Sequence, residues 1–539
     1  MRRVVKFPAT HVTCGVHPAC VVVPGHFDPS RETTMSPHRR PLASCLAAAF
    51  CLASPLAHAA NRTVVNCNDS GSGSLRAAIA AAASGDTVVF DTAAMACTTI
   101  SVTAGQLEVG VQTLTLQGPM SPTLTISAGT GSSRVIHDGV SVGMADTSRK
   151  LTINNLTIAD GHRTVTVPAA GFIVEGGCID ADGDVTLSNS TVTGCSVTSN
   201  GGNAQGGGIA SYSLHAYNSR IINNVAYASP PTPNNGNTYF AIGGGASVRG
   251  GALVVKTTTV SNNIVEAGGT PTRTIGGGLS ILSEGPKTIS ASTISGNSAD
   301  RGGGLYAYFS RYTAGEPLII ESTTIAGNHA NKLGGGAFVF SLYAPEQISN
   351  STISGNDSSG TMAGLFAGAA SNELTGNTIV LNTSAKGTAT YDNNVYAEAA
   401  GLYIAGAATL RNTIVANNVA TDTGASDLNK TSSSTIDGSH NLIRATLAGT
   451  TAPADTLTTD PLLGALADNG GPTLTHALLA GSPAIDAGCA ASGFPNDQRG
   501  SGYPRVWGIA PDIGAYETGD PASGDIIFRG GFDAPACAP

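Results

Sequence analysis

The sequence predicts an all-β chain wound as a right-handed parallel β-helix, with a helical cap at its beginning and a lid at its end. Three observations lead there: short segments built on one β-branched residue recur, Asn follows that residue at a fixed offset in most of them, and glycine triplets punctuate the intervals. The composition agrees, because 69 glycines and only 12% charged residues in 539 suit short strands and tight turns. The glycines have no period of three, which excludes collagen, and the patterned aliphatics exclude general disorder.

The amino terminus is set aside first. From Met35 the chain reads MSPHRRPLASCLAAAFCLASPLAHAA, with Arg39 and Arg40 as a positive region, 42–53 as an apolar one and Ala57-His58-Ala59 as a small-x-small cleavage site. Residues 1–34 then read as an extension upstream of the true start and 35–59 as a signal peptide. The expected divisions that follow are a cap at 60–90, the β-helix at 91–459, a capping region at 460–517 and a tail at 518–539 that would serve export or processing. Leu42-Ala43-Ser44-Cys45 has the form of a lipoprotein box, but almost no apolar stretch precedes it.

Without the first 60 residues the chain carries 21 Lys+Arg against 34 Asp+Glu, with no basic stripe, so nucleic acid and anionic membrane surfaces are excluded as partners. No later run reaches the roughly 18 apolar residues of a membrane helix, so the mature chain is expected to have no transmembrane segment. Six cysteines remain, an even number that permits disulfides in an exported chain. Nearest-neighbour pairing joins Cys67 to Cys97, Cys178 to Cys195 and Cys489 to Cys537, although sequence alone does not fix the pairs.

Nine segments stack by eye, from LTIADG at Leu156 to NTIVAN at Asn412. Their central aliphatics are Ile158, Val192, Ile221, Val260, Ile294, Ile325, Ile353, Ile379 and Ile414, at gaps of 26 to 39 residues. Asn224, Asn263, Asn297, Asn328, Asn356, Asn382 and Asn417 each stand three positions further on, and an amide at the same turn of successive coils can form a ladder. One such coil cannot bury its own aliphatic face, but stacking makes a continuous interior and pairs every strand edge. Leucine-rich repeats would need their own Leu spacing, and propellers would need regular four-stranded blades.

The open ends need cover. SLRAAIAAAASGD (74–86) places Leu75 and Ile79 on one side of a short helix, followed by the strand TVVFD. After about 460 the repeats give way to DPLLGALADNGGPTLTHALLAGSPAIDAG, then DQRG, RVWG and PDIGAYE, where Asp497, Arg499, Arg505, Asp512 and Glu517 cluster. Paired charges holding a lid are the first reading of that cluster, and a metal or catalytic site the second.

The opening GSGSLRAAIAAAASGDTVVF is similar to that of many bacterial surface proteins with polymorphic-outer-membrane-protein-like repeats, and NGGPTLTHALLAGSPAIDAG with DQRG and PDIGAYE is similar to the choice-of-anchor Q class. Over roughly 67–517 the chain thus resembles exported right-handed β-helix proteins of the pectin-lyase-like superfamily. The resemblance implies an envelope or secreted protein and says little about chemistry. GDIIFRGGFDAPACAP looks like the IF-x-x-GF-D/E tails of some exported proteins of gamma-proteobacteria. The expected location is the cell exterior or outer-membrane surface, with the periplasm as the other destination.

After each glycine triplet, a period of two turns positions +1 and +3 inward and +2 and +4 outward. Tyr306, Tyr308, Phe338, Phe340 and Phe366 would then form an outward aromatic strip flanked by Phe309, Arg311, Tyr312 and Tyr343. Inserted loops could bury the strip as a satellite core, or it could bind a glycan or a protein. Candidates for catalysis are Glu284, Glu316 and Glu346 with Lys287 and Arg311, since hydrolases need paired carboxylates and lyases a base beside a cation. Their unequal offsets from the triplets favour solvated loops. DADGD sets Asp180, Asp182 and Asp184 at alternate positions, an oxygen-rich turn suited to Ca2+ but lacking the longer loop of an EF-hand; an acidic turn is the competing reading. No other cofactor is expected. The function that follows is a structural or adhesive protein binding an extracellular or envelope polysaccharide or a surface protein through its lateral face, with a polysaccharide lyase or glycoside hydrolase as the alternative.

Overall fold

The computed structural model describes residues 59–519 apart from 122, 130, 132, 140–144, 167–171, 271, 310–315, 392–393, 397 and 491–493, together with Cys537, and side chains in 389–397 are left aside. Residues 1–58, where a signal peptide is expected, Arg311, Tyr312 and most of the tail lie outside the described residues. All described residues belong to the unit Ala57–Pro539.

The chain is a right-handed parallel β-helix. One coil shows the plan: Leu305–Phe309 and Leu318–Glu321 lie in sheet A, Thr324–Ala326 in sheet B and His329–Leu333 in sheet C. Each strand pairs in parallel with its counterpart one coil on, as Leu305 does with Ala337 and Ile325 with Ile353. Among the described residues sheet A holds 22 strands, sheet B 12 and sheet C 14. The turn from C to A uses the glycine triplets. Gly302 adopts φ +62, and a Cβ on Gly303 would stand 2.2 Å from the carbonyl oxygen of His329, so neither position accepts a side chain without strain.

The aliphatic column Ile158, Val192, Ile221, Val260, Ile294, Ile325, Ile353 and Ile379 runs in unbroken register and has no solvent exposure. Beside it runs the amide ladder. Nδ2 of Asn224 donates to Oδ1 of Asn263, and the same bond recurs at 2.9 Å through Asn297, Asn328, Asn356, Asn382 and Asn418. Asn297 shows why the row is stable when buried. Its Nδ2 donates to Asn328 and to the Val260 carbonyl, and its Oδ1 accepts from both the backbone and side-chain nitrogens of Asn263, so all its bonding capacity is used.

The ninth unit corrects the expected register. Ile379 pairs with Val415, and Ile414 pairs with the outward Thr378. The segment Ile414-Val415-Ala416-Asn417-Asn418 offers two adjacent β-branched residues and two adjacent Asn, so both frames fit the template. Asn417 instead takes the left-handed corner at φ +59. A second buried row escaped the sequence reading, although its members open the repeat units: the backbone N–H of Ser190 donates to Ser219 Oγ, and the pattern continues through Thr258, Ser292, Thr323 and Ser351.

At the beginning, the helix Leu75–Ala80 is N-capped by Ser74 and turns Leu75 and Ile79 into the main core. At the end, the lid lies along the outer face of sheet B, whose outward positions become apolar at Val380, Ile414 and Ala416. These pack against Leu478, Ala484 and Ile513 of the lid. Gln498 Nε2 donates to Thr324 Oγ1 at 2.9 Å, Thr352 Oγ1 donates to Gln498 Oε1 at 2.6 Å, and Ser354 Oγ donates to His476 Nε2 at 2.8 Å. One ion pair forms in this charged group, and the other members bond to backbone: Arg499 pairs with Asp497 at 2.7 Å beside the rings of Tyr503 and Tyr516, Arg505 donates to the carbonyls of Asp512 and Gly514, and Glu517 accepts the backbone N–H groups of Trp507 and Asp512. All three nearest-neighbour disulfides form.

Gln498→Leu removes the amide that ties the lid to two coils and strands buried partners, at a cost of about 1–3 kcal/mol each. Limited proteolysis is expected to cut the lid earlier than in wild type while the solenoid stays resistant; unchanged lid cleavage would contradict the assigned contact.

Candidate functional site

In sheet A one outward column reads Glu108, His137, Asp180, Ala210, Ser247, Ser280, Tyr306, Phe338, Phe366, Tyr403, Asn429. It begins with titratable groups, passes through small ones to four aromatics and ends at Asn429.

Tyr306, Phe338 and Phe366 point outward as expected, and Tyr403 extends the row. Tyr403 was missed although it follows a Gly-Leu pair as Tyr306 and Phe366 do. The ring centroids lie 5.4, 4.5 and 5.7 Å apart with planes within 10°, so each ring face is covered by its neighbour. Ile275, Leu333, Met362 and Ala399 pack along the row, and all four rings are only 6–8% exposed. The row is a satellite core. The outer pair differs: Tyr308 stacks on Phe340 at 5.3 Å and is 39% exposed, and the next coil has Gly368 at that position. Leu342 and Tyr343 beside it are also exposed. Phe309, expected as an outward flank, ends its strand facing the main core.

The three glutamates do not meet. Glu316 is exposed and Glu284 half-buried in loops, whereas Glu346 is fully buried with neither oxygen partnered. Lys287 and Glu346 occupy one inward column, Leu253, Lys287, Leu318, Glu346, Asn372. Lys287 Nζ donates to the Gly285 carbonyl at 2.6 Å and stands 4.3 Å above the Phe309 ring. Burial pulls its pKa down to about 8, with Glu284 and Glu316 opposing. Burial alone pushes the Glu346 carboxyl up to about 8, so it is an uncharged acid at neutral pH. A carboxyl sealed inside the solenoid cannot reach a substrate outside it.

The aspartates also separate. Asp180 pairs with Arg134, while Asp184 lies beyond a register shift, opposite Lys150. Asp182 lies against the Gly139 backbone, where an added Cβ would stand 2.5 Å from its Oδ2. Among the described residues no three His, Cys, Asp or Glu side chains gather to hold one metal ion. What forms around Asp180 is an ion-pair group that sequence reasoning missed: Arg249 pairs with Glu175 and donates to the Ala181 carbonyl at 2.8 Å, and His137 neighbours Asp180 in the column. Burial, then Arg134, holds the His137 pKa down, leaving its ring neutral. Asp180 Oδ1, Arg134 Nε and His137 Nδ1 are buried without hydrogen-bond partners. Arg134 and Arg249 were visible only as isolated charges in a charge-poor sequence.

Glu346 gives a pH test. Its carboxyl titrates near 4.5 unfolded and near 8 folded, so its contribution to stability is fully present below pH 4.5 and falls as pH rises to about 8. Glu346→Gln is expected to flatten that decline and raise the melting temperature at pH 8 relative to wild type, with little difference at pH 4. Parallel pH profiles for the two proteins would show that Glu346 is not sealed.

No family model matches this chain. No curated protein matches it either. Among solved structures, it is similar to the crystal structure of pectate lyase Pel9A at 14% identity, over 86% of this chain and 98% of that one, with a TM-score of 0.37. At that TM-score the likeness carries no argument about chemistry.

Proposed function

We propose that this is an exported structural or adhesive protein that binds a glycan or a surface protein through its lateral face. The observation that carries the reading is the exposed apolar patch of Tyr308, Leu342 and Tyr343, with the half-buried Phe340 stacked on Tyr308, on the flank of sheet A. Phe340 packs against the inner aromatic row and Tyr308 lies 6.4 Å from Tyr306 with the rings nearly parallel, so the outer pair is braced from the side by that row. No helix among the described residues is long and apolar enough to cross a membrane.

Retention of the protein on a panel of neutral and acidic glycans and envelope extracts is expected to fall at least tenfold in a Tyr308→Ala, Phe340→Ala double variant, with unchanged far-UV circular dichroism. Full retention by the folded variant would remove the patch from the account.

The polysaccharide lyase or hydrolase reading has one specific support, the group of Arg134, His137, Glu175, Asp180 and Arg249 with its unpartnered polar atoms. It requires the purified protein to release unsaturated or reducing ends, and Asp180→Asn to abolish that release. Turnover that Asp180→Asn leaves intact would reject this site.

A further inference from the structure

Sheet B differs from its neighbours in what it turns outward. Its first outward column reads Thr99, Thr125, Thr157, Thr191, Arg220, Thr259, Thr293, Thr324, Thr352, Thr378 in continuous register. Two residues on stand Ser101, Ser127, Ala159, Thr193, Ile222, Ser261, Ser295, Ala326 and Ser354. Arg220 is the single charge in these two rows. The second strands of sheet A, by contrast, turn Lys150, Asp184, Lys256, Glu321, Glu373, Arg411 or Asp437 into their pairings.

The lid covers the last coils of this face and shows what chemistry it accepts. One carboxamide, that of Gln498, spans two successive coils, donating to Thr324 and accepting from Thr352. The lid backbone repeats the theme where Ala515 N–H donates to Thr378 Oγ1. The uncovered rows continue the same surface. Thr157, Thr191, Thr259 and Thr293 are half-buried, and their hydroxyls have no hydrogen bond among the described residues.

Size selects the kind of occupant. Along the seven coils from Thr99 to Thr293, at about 4.8 Å each, the first row makes a strip about 30 Å long, and because Ser127, Ala159 and Ser261 of the second row are buried, its accessible area is at most of order 300 Å², well under the roughly 800 Å² per partner of a stable protein interface. A narrow row of threonine hydroxyls at one-coil spacing, interrupted once by Arg220, fits an extended neutral polymer. We infer that the uncovered rows of sheet B are the docking site of a straight neutral glycan bearing acetamido groups, whose amides bridge successive threonines as Gln498 does beneath the lid. This rests on the reading of the chain as an exported lateral binder, and assigns the glycan to sheet B, a face separate from the aromatic patch on the flank of sheet A.

The test uses the full-length protein on insoluble poly-N-acetylglucosamine, with cellulose as the polymer that lacks amides. Wild type is expected to be retained on the first and at least tenfold less on the second. Replacing Thr157, Thr191, Thr259 and Thr293 with Val keeps the β-branched shape and removes the hydroxyls, and should cut retention at least tenfold. Arg220→Thr joins the two threonine runs and should strengthen retention severalfold, which keeps the test sharp if the valine variant folds poorly. Equal retention on both polymers, or retention indifferent to the threonines and to Arg220, overturns the inference. Retention lost only in the Tyr308→Ala, Phe340→Ala variant would overturn it while leaving the lateral-binding reading intact. No retention on any glycan would overturn it and leave the lateral-binding reading to a surface protein. Threonine-dependent slowing of ice growth without glycan retention would assign the rows to ice and likewise overturn it.

Discussion

From Asn224 to Asn418 seven successive coils are tied one to the next by a buried side-chain amide, and the rest of the molecule is arranged around that constraint. An amide inside an apolar core is tolerated only when its donors and acceptor are all used. The ladder meets that condition only if successive coils stack with their corners superimposed. Insertions are therefore confined to the other turns, as between Val225–Ser229 and Tyr239–Ile242 of sheet C and between Leu305–Phe309 and Leu318–Glu321 of sheet A, and the aliphatic column stays in register despite coils of unequal length.

The row has a direction and both ends are closed. Its first acceptor, Oδ1 of Asn224, takes the backbone N–H of Cys195, which holds the ladder position of its own coil and is fixed by a disulfide to Cys178. Its last donor, Nδ2 of Asn418, meets the buried carboxylate of Asp427 at 2.8 Å. Burial pushes that carboxyl up to about 6 against the amide donors that favour its charge. An acceptor-only group is the chemically suitable end for a row of donors. The same economy of partners governs the lid, whose charges are paired or bonded to backbone and whose polar side chains complete the outward threonines of the coils it covers. On the outside of sheet A, stacking turns a row of aromatics into a second core and leaves only the outer pair for contact.

The fold was legible because its signals are local: a β-branched residue, an Asn three positions on and a glycine triplet each mark one corner of a coil. The disulfides were legible because neighbours in sequence became neighbours in space. The slip at Ile414 and Asn417 arose where two adjacent residues of the same type fit the template equally, and only the pairing with Ile379 separates them. The inward column of Lys287 and Glu346 was hidden because loops of unequal length reset the strand phase. The ion-pair group around Asp180 joins residues as far apart as Arg134 and Arg249, a proximity created by stacking that no single segment displays.

Adjacent, identical substitutions at Asn417 and Asn418 test the central claim most directly. Asn417 sits at φ +59, where Gly is at ease, while Asn418 accepts from the backbone and side-chain nitrogens of Asn382 and donates to Ile379 and Asp427. Urea denaturation should show Asn417→Gly within about 0.5 kcal/mol of wild type and Asn418→Gly less stable by about 3 kcal/mol or more. Equal losses, or a larger loss at Asn417, would contradict the ladder on which this account stands.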